Sequence, residues 1–237
     1  MANEITALGD IALEHAPEDR KPEKESKEAG DKAQADGAGE DEKSLIVRFA
    51  KPYIFEGKSY DCVDLNGIKQ LKVEDAVDAQ LRLFTENEVA AALVSETTTA
   101  FARMIAAKAS GLPIEFFKIM PIGSMKRVAR KIREYLNVPV NTEHHVVTFE
   151  KPYLYGGETV CSVDLSGVAD LNSMNESAAE NRMVRKGFAI TENSLNFYYP
   201  CIIASMVTGR PEEFFMGLPI YEVFKLKNEV NSPDFFE

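Results

Sequence analysis

The chain has 237 residues, 45% of them hydrophobic, and 27 Lys plus Arg against 38 Asp plus Glu, a formal charge of −11. That length allows one large domain or two small ones, and the acidic balance disfavours a nucleic-acid binder, whose phosphates it would repel. No apolar run approaches the ~20 residues of a membrane span, and Met1 to Leu13 lacks the basic and apolar regions of a signal peptide.

Residues 1–43 hold 13 acidic and 6 basic side chains, and from Glu14 to Lys43 there is no aromatic or β-branched residue. Such a segment cannot bury enough apolar surface to offset its ordering entropy, so a disordered acidic tail is expected over 1–43. Ile5, Leu8, Ile11 and Leu13 fit either a short docking peptide or a frayed terminus.

Ser44 to Ala50 alternates like a strand, with Leu45, Val47 and Phe49 on one face. After Lys51-Pro52-Tyr53 come Glu56-Gly57 and a second β-prone run, Tyr60 to Leu65, which together signal a hairpin. Pro52 cannot join a ladder and belongs at an edge or a bend. Helices are expected over Glu74 to Phe84 and Glu88 to Ser110, the second capped by Gly111 and followed by Pro113 at the next turn. A last helix, N-capped by Ser124, carries Met125, Val128, Ile132, Tyr135 and Leu136 on one face.

The chain then repeats itself. Lys51 to Leu71 aligns with Lys151 to Leu171 without a gap, at an offset of 100 and with nine of 21 positions identical. Gly111 to Ile122 aligns with Gly209 to Ile220 at an offset of 98, with seven of 12 identical. A tandem duplication follows. The expected organisation is a first unit over 44–138, a linker over 139–143 and a second unit over 144–237. Each unit reads as a β-hairpin or small antiparallel sheet followed by three to four helices, an α+β fold of two similar, separately folding domains.

Sites of chemistry are sparse in this pattern. Gly57-Lys58-Ser59 resembles the end of a P-loop, but Pro52 stands where the first glycine belongs and no helix follows. His144 and His145 fall next to each other on a predicted strand and would point to opposite faces, so they cannot share a metal. Cys62, Cys161 and Cys201 are odd in number with no C-x-x-C, which disfavours a disulfide framework or a zinc site. Cys62 and Cys161 are not equivalent between the copies and read as packing residues. The repeated Asp64 and Asp164 precede Leu-x-Gly and read as turn-closing Asx residues. No catalytic constellation, cofactor motif or metal set emerges, and the expectation is a non-enzymatic protein.

Lys126, Arg127, Arg130, Lys131 and Arg133 form a basic face on the last helix of the first unit. The second unit has Glu222, Lys225, Lys227 and Glu229 there, nearly neutral, so a function shared by both units cannot rest on this patch. A solvated face holding the acidic tail by screened attraction is the expected role. The shared set is aromatic and apolar: Tyr53/Tyr153, Phe116-Phe117/Phe214-Phe215 and Pro121-Ile122/Pro219-Ile220. Adjacent phenylalanines on a short helical turn point in different directions. One of each pair is therefore expected to face outward, unless two helix layers bury both.

The order Lys-Pro-Tyr, hairpin, Val-Asp-Leu-x-Gly, then Ser/Thr-Gly-x-Pro-x-Glu-Phe-Phe and Pro-Ile resembles the phage tail assembly chaperone family, over residues 45–136 and again over 145–230. The duplication departs from the family's usual single unit. The resemblance implies a non-enzymatic protein of the host cytoplasm that binds and solubilises the tape-measure protein, acts with tail-tube subunits, and leaves before the particle matures. It implies no membrane, nucleic acid or cofactor, and leaves a homo-oligomer open. The candidate partner-binding residues are Tyr53, Phe116, Phe117, Tyr153, Phe214 and Phe215. The alternative is a structural tail component retained in the particle, with the hairpin-plus-helix unit supplying ring-forming edges.

Overall fold

A computed structural model describes residues 44–86, 95–139, 142–189 and 192–235, and the acidic segment 1–43 lies outside them. Strand β1 (Ile46–Phe55) turns into β2 (Lys58–Asp64) at Glu56 and Gly57, whose φ angles of 47° and 75° both lie in the left-handed region. Such a two-residue turn matches strand twist and favours glycine at its second position. The register breaks between Arg48 and Tyr53, where Pro52 cannot donate to the ladder. A 3-10 turn at Asn66–Gln70 follows, opened by Asp64, whose Oδ1 accepts from Asn66 N–H at 2.8 Å.

Helix α1 spans Val73–Thr85, α2 Thr99–Ser110, α3 Ile114–Lys118 and α4 Ile122–Leu136. The expected long helix from Glu88 is shorter. A 3-10 turn occupies Ser95–Thr97, and Thr98 caps α2 by accepting from Phe101 N–H at 3.3 Å; 87–94 lie outside the described residues. The run Ser95-Glu96-Thr97-Thr98-Thr99 explains this, since hydroxyl side chains compete for backbone groups and favour caps. Gly111 ends α2 at φ 71°, as its position predicts. Helix α4 starts two residues before Ser124, directly after Pro121.

The second copy repeats the order. Thr142–Glu143 (β3), within the expected linker, pairs with β4 (Val146–Tyr155), which pairs with β5 (Glu158–Asp164) in a three-stranded antiparallel sheet. His144 and His145, expected on a strand, form the β3–β4 turn instead, with φ of 50° and 65°. After the 3-10 turn Ser166–Asp170 come α5 (Ser173–Lys186), α6 (Tyr199–Thr208), α7 (Glu212–Met216) and α8 (Glu222–Val230). The protein is α+β, two small antiparallel sheets with eight α-helices among the described residues.

Each hairpin lays its aromatic face on the Phe-Phe helix. Phe116 sits 4.9 Å from Tyr53, 5.3 Å from Phe55 and 4.9 Å from Tyr60 between ring centroids. Phe214 repeats this with Tyr153 at 5.4 Å and Tyr155 at 5.3 Å. The repeated glycine of Asp-Leu-x-Gly is a close-approach position: a Cβ on Gly67 would overlap the Ala109 carbonyl, and one on Gly167 would sit 3.0 Å from Val207 Cγ1.

One apolar core runs through both copies. Ring pairs cross the boundary at Phe84–Phe188 (5.9 Å), Phe101–Phe197 (5.5 Å) and Tyr135–Tyr221 (5.8 Å). Buried Gln80 donates to Leu195 O and accepts from Phe197 N–H, both at 2.9 Å. The repeat predicts two similar domains, and in the structure the buried side chains of the two copies belong to one cluster.

Candidate partner-binding surface

The six residues singled out by the repeat come together in two groups, and all of them but Tyr153 are buried. Phe116, Phe117, Phe214 and Phe215 are at most 1% exposed. Of the two readings of each pair, one side chain outward or both buried between layers, the second holds: the hairpin covers one side of the five-residue helix, and the longer helices cover the other. Tyr53 is also buried, its hydroxyl donating to Phe116 O at 3.0 Å, and burial raises its pKa. Tyr153 is half-buried beside Phe214. None of the four phenylalanines can touch a partner without opening the core.

The outward positions belong to the residues between the buried aromatics. In Tyr53-Ile54-Phe55 the first and third side chains point inward, and Ile54 is 70% exposed. In Tyr153-Leu154-Tyr155 the arrangement repeats, and Leu154 is 68% exposed. Strand geometry requires this alternation. Ile54 faces Ser59 across the ladder and Leu154 faces Thr159, so a large aliphatic stands against a small polar residue at the tip of each hairpin. Sequence reasoning missed these two residues, although the period-2 pattern within each repeat marks them.

The basic face of α4 is exposed at Lys126, Arg127, Arg130 and Arg133, with Lys131 half-buried. It flanks a groove of about 400 Å³ that also includes Ser44, Ile46 and Arg48. The only ion pair along it among the described residues is Arg130–Glu134 at 3.8 Å. The corresponding face of α8 is not the solvated surface its charges suggest. Glu222 and Lys225 are each 1% exposed and lie 3.2 Å apart; Glu222 accepts from Glu150 N–H at 2.7 Å, and Lys225 donates to Thr148 O at 3.2 Å. Burial pushes the Glu222 carboxyl above its ordinary range. Lys227 and Glu229 are buried too, paired with Glu96 and His145 at 2.6 Å each.

The remaining polar positions have local explanations. Asp164 Oδ1 accepts from Ser166 N–H at 2.9 Å, matching Asp64 in the first copy, and that hydrogen bonding lowers its pKa. Cys161 is exposed, against the expectation of packing, while Cys201 is fully buried and its thiol pKa is raised by desolvation. Among the described residues, no cluster of three His, Cys, Asp or Glu side chains is placed to hold a metal ion, and no helix is long and apolar enough to cross a membrane. Compared with known proteins, the chain matches no family model, no curated protein and no solved structure.

Proposed function

We propose that this chain is a non-enzymatic tail assembly chaperone of a tailed phage. In this reading it binds the helical tape-measure protein in the host cytoplasm and keeps it soluble until tail-tube subunits assemble around it. Two lines support the reading: the order of motifs, present twice, and the same exposed aliphatic at the same place in both copies, Ile54 and Leu154. The second line carries it.

A tape-measure helix exposes apolar stripes until the tube encloses them, and an aliphatic anchor on a rigid hairpin can cover such a stripe. Two anchors on one chain make the second contact intramolecular and raise avidity. The net charge of −11 keeps the complex soluble. Co-expression with the tape-measure protein tests the reading through Ile54→Asp, Leu154→Asp and the double variant. Each anchor should be worth about thirtyfold in affinity, so the double variant should leave the tape-measure protein insoluble while melting like the wild type. Undiminished co-purification by the double variant would exclude the hairpin tips as the site.

A further inference from the structure

The contact between the two copies lacks two-fold symmetry. Lys72 bridges Pro219 in antiparallel fashion, with Val73 N–H donating to Leu218 O at 2.9 Å and Ile220 N–H donating to Leu71 O at 3.0 Å. By the repeat alignment, Leu71 and Val73 correspond to Leu171 and Ser173, and Leu218 and Ile220 correspond to Met120 and Ile122. Under a two-fold arrangement this second set would meet as well. It does not. Ile220 is fully buried while Ile122 is 75% exposed, and Val73 is fully buried while Ser173 is exposed. Among the described residues, no backbone carbonyl accepts from Ser173 N–H or Ile122 N–H.

The molecule therefore carries two unfilled halves of a contact it already makes once. Both halves expose apolar side chains: Ile119 and Ile122 at one, Met174 and Val184 at the other. Those are four of the seven large hydrophobics exposed among the described residues, so the exposure is concentrated where the repeat leaves its contact open.

We propose that a second copy of this chain fills each half. The Met120–Ile122 segment of one molecule pairs with Leu171–Ser173 of the next. Ser173 N–H donates to the Met120 carbonyl and Ile122 N–H donates to the Leu171 carbonyl, repeating between molecules the bridge made within each. Such a contact is heterologous, so association runs head to tail, into a closed ring or an open chain. Ser173, Ser177 and Asn181 stand where the first copy has Val73, Val77 and Leu81, which makes the contact between molecules weaker than the one within the chain. Association is accordingly concentration-dependent. The proposal does not rest on the chaperone reading.

Sedimentation velocity of the full chain over a wide concentration series tests it. Two variants each remove one half. Ile122→Asp charges an exposed position. Ser173→Pro removes the N–H and an exposed hydroxyl without interrupting a helix, because position 173 opens one after Asn172, whose φ of −127° and ψ of 176° lie in the extended region a residue before proline adopts. Both variants should melt like the wild type. The wild type should gain mass with concentration, and each variant alone should stay monomeric. An equimolar mixture should form a 1:1 heterodimer, because each variant keeps the half the other lacks. A wild type that stays monomeric at every concentration, variants that associate like the wild type, or a mixture that stays monomeric would each overturn the proposal.

Discussion

The two hairpin tips set buried and exposed residues side by side, and substitutions there separate stability from binding. Phe116→Ala and Phe214→Ala remove the hub of an aromatic cluster and should each cost about 3–5 kcal/mol in denaturant unfolding. Ile54→Ala and Leu154→Ala, on the outer face of the strands that cover those rings, should change stability by no more than about 0.5 kcal/mol. The glycines of the 3-10 turns give a second contrast. Gly67→Ala drives a methyl into the Ala109 carbonyl and should cost about 1–3 kcal/mol as overpacking. Gly167→Ala meets only the side chain of Val207 at 3.0 Å, which can give way, so its loss measured by the same unfolding experiment should be smaller. At this scale the repeat identified which residues matter in both copies, and it did not distinguish inside from outside. Two adjacent phenylalanines on a five-residue helix read either as one in and one out or as both buried between two layers, and only the packing decides for the second. The alternation in Tyr53-Ile54-Phe55 was the legible signal for exposure.

Hairpins and capped helix ends were legible because their residues act locally. Glu56-Gly57 makes its turn, Pro52 breaks its ladder and Gly111 ends its helix without help from distant chain. The burial of the charged face of α8 was not legible, because Glu222 and Lys225 are buried only by virtue of what β4 offers them, the Glu150 N–H and the Thr148 carbonyl. Replacing Lys225 by Met leaves Glu222 buried without its cation and should cost about 3–5 kcal/mol at neutral pH. The pH dependence has a defined sign. Burial raises the Glu222 pKa in the folded state, so the folded chain binds a proton that the unfolded chain has released. Its contribution is fully present below the ordinary glutamate pKa and is lost as pH rises through the folded value. Denaturant melts at a series of pH values should show the stability of the wild type relative to Glu222→Gln increasing as pH falls from neutral toward that ordinary value.

For the whole molecule, the duplication was fully legible and the shared core was not. Identity between the copies says that they fold alike; which faces meet depends on where they differ, as at Val73 and Ser173 or Leu81 and Asn181. Burying a side chain such as Phe101, Phe188 or Phe197 is worth about 1.5–3 kcal/mol, a large share of the ~5–15 kcal/mol that holds a typical domain together. Residues 44–139 expressed alone should therefore lose cooperative thermal melting, and a sharp transition near that of the full chain would show the copies to be independent. Removing residues 1–43 should leave the melting temperature within a few degrees of the full chain, because their composition offers little to bury. The chaperone reading places both hairpin tips against one partner, and photo-cross-linking reports on that directly. With a photoreactive residue at position 54 or 154 of the full chain, co-expressed with the tape-measure protein, both positions should cross-link to that protein. A complex that purifies intact with no cross-link from either position would contradict the account.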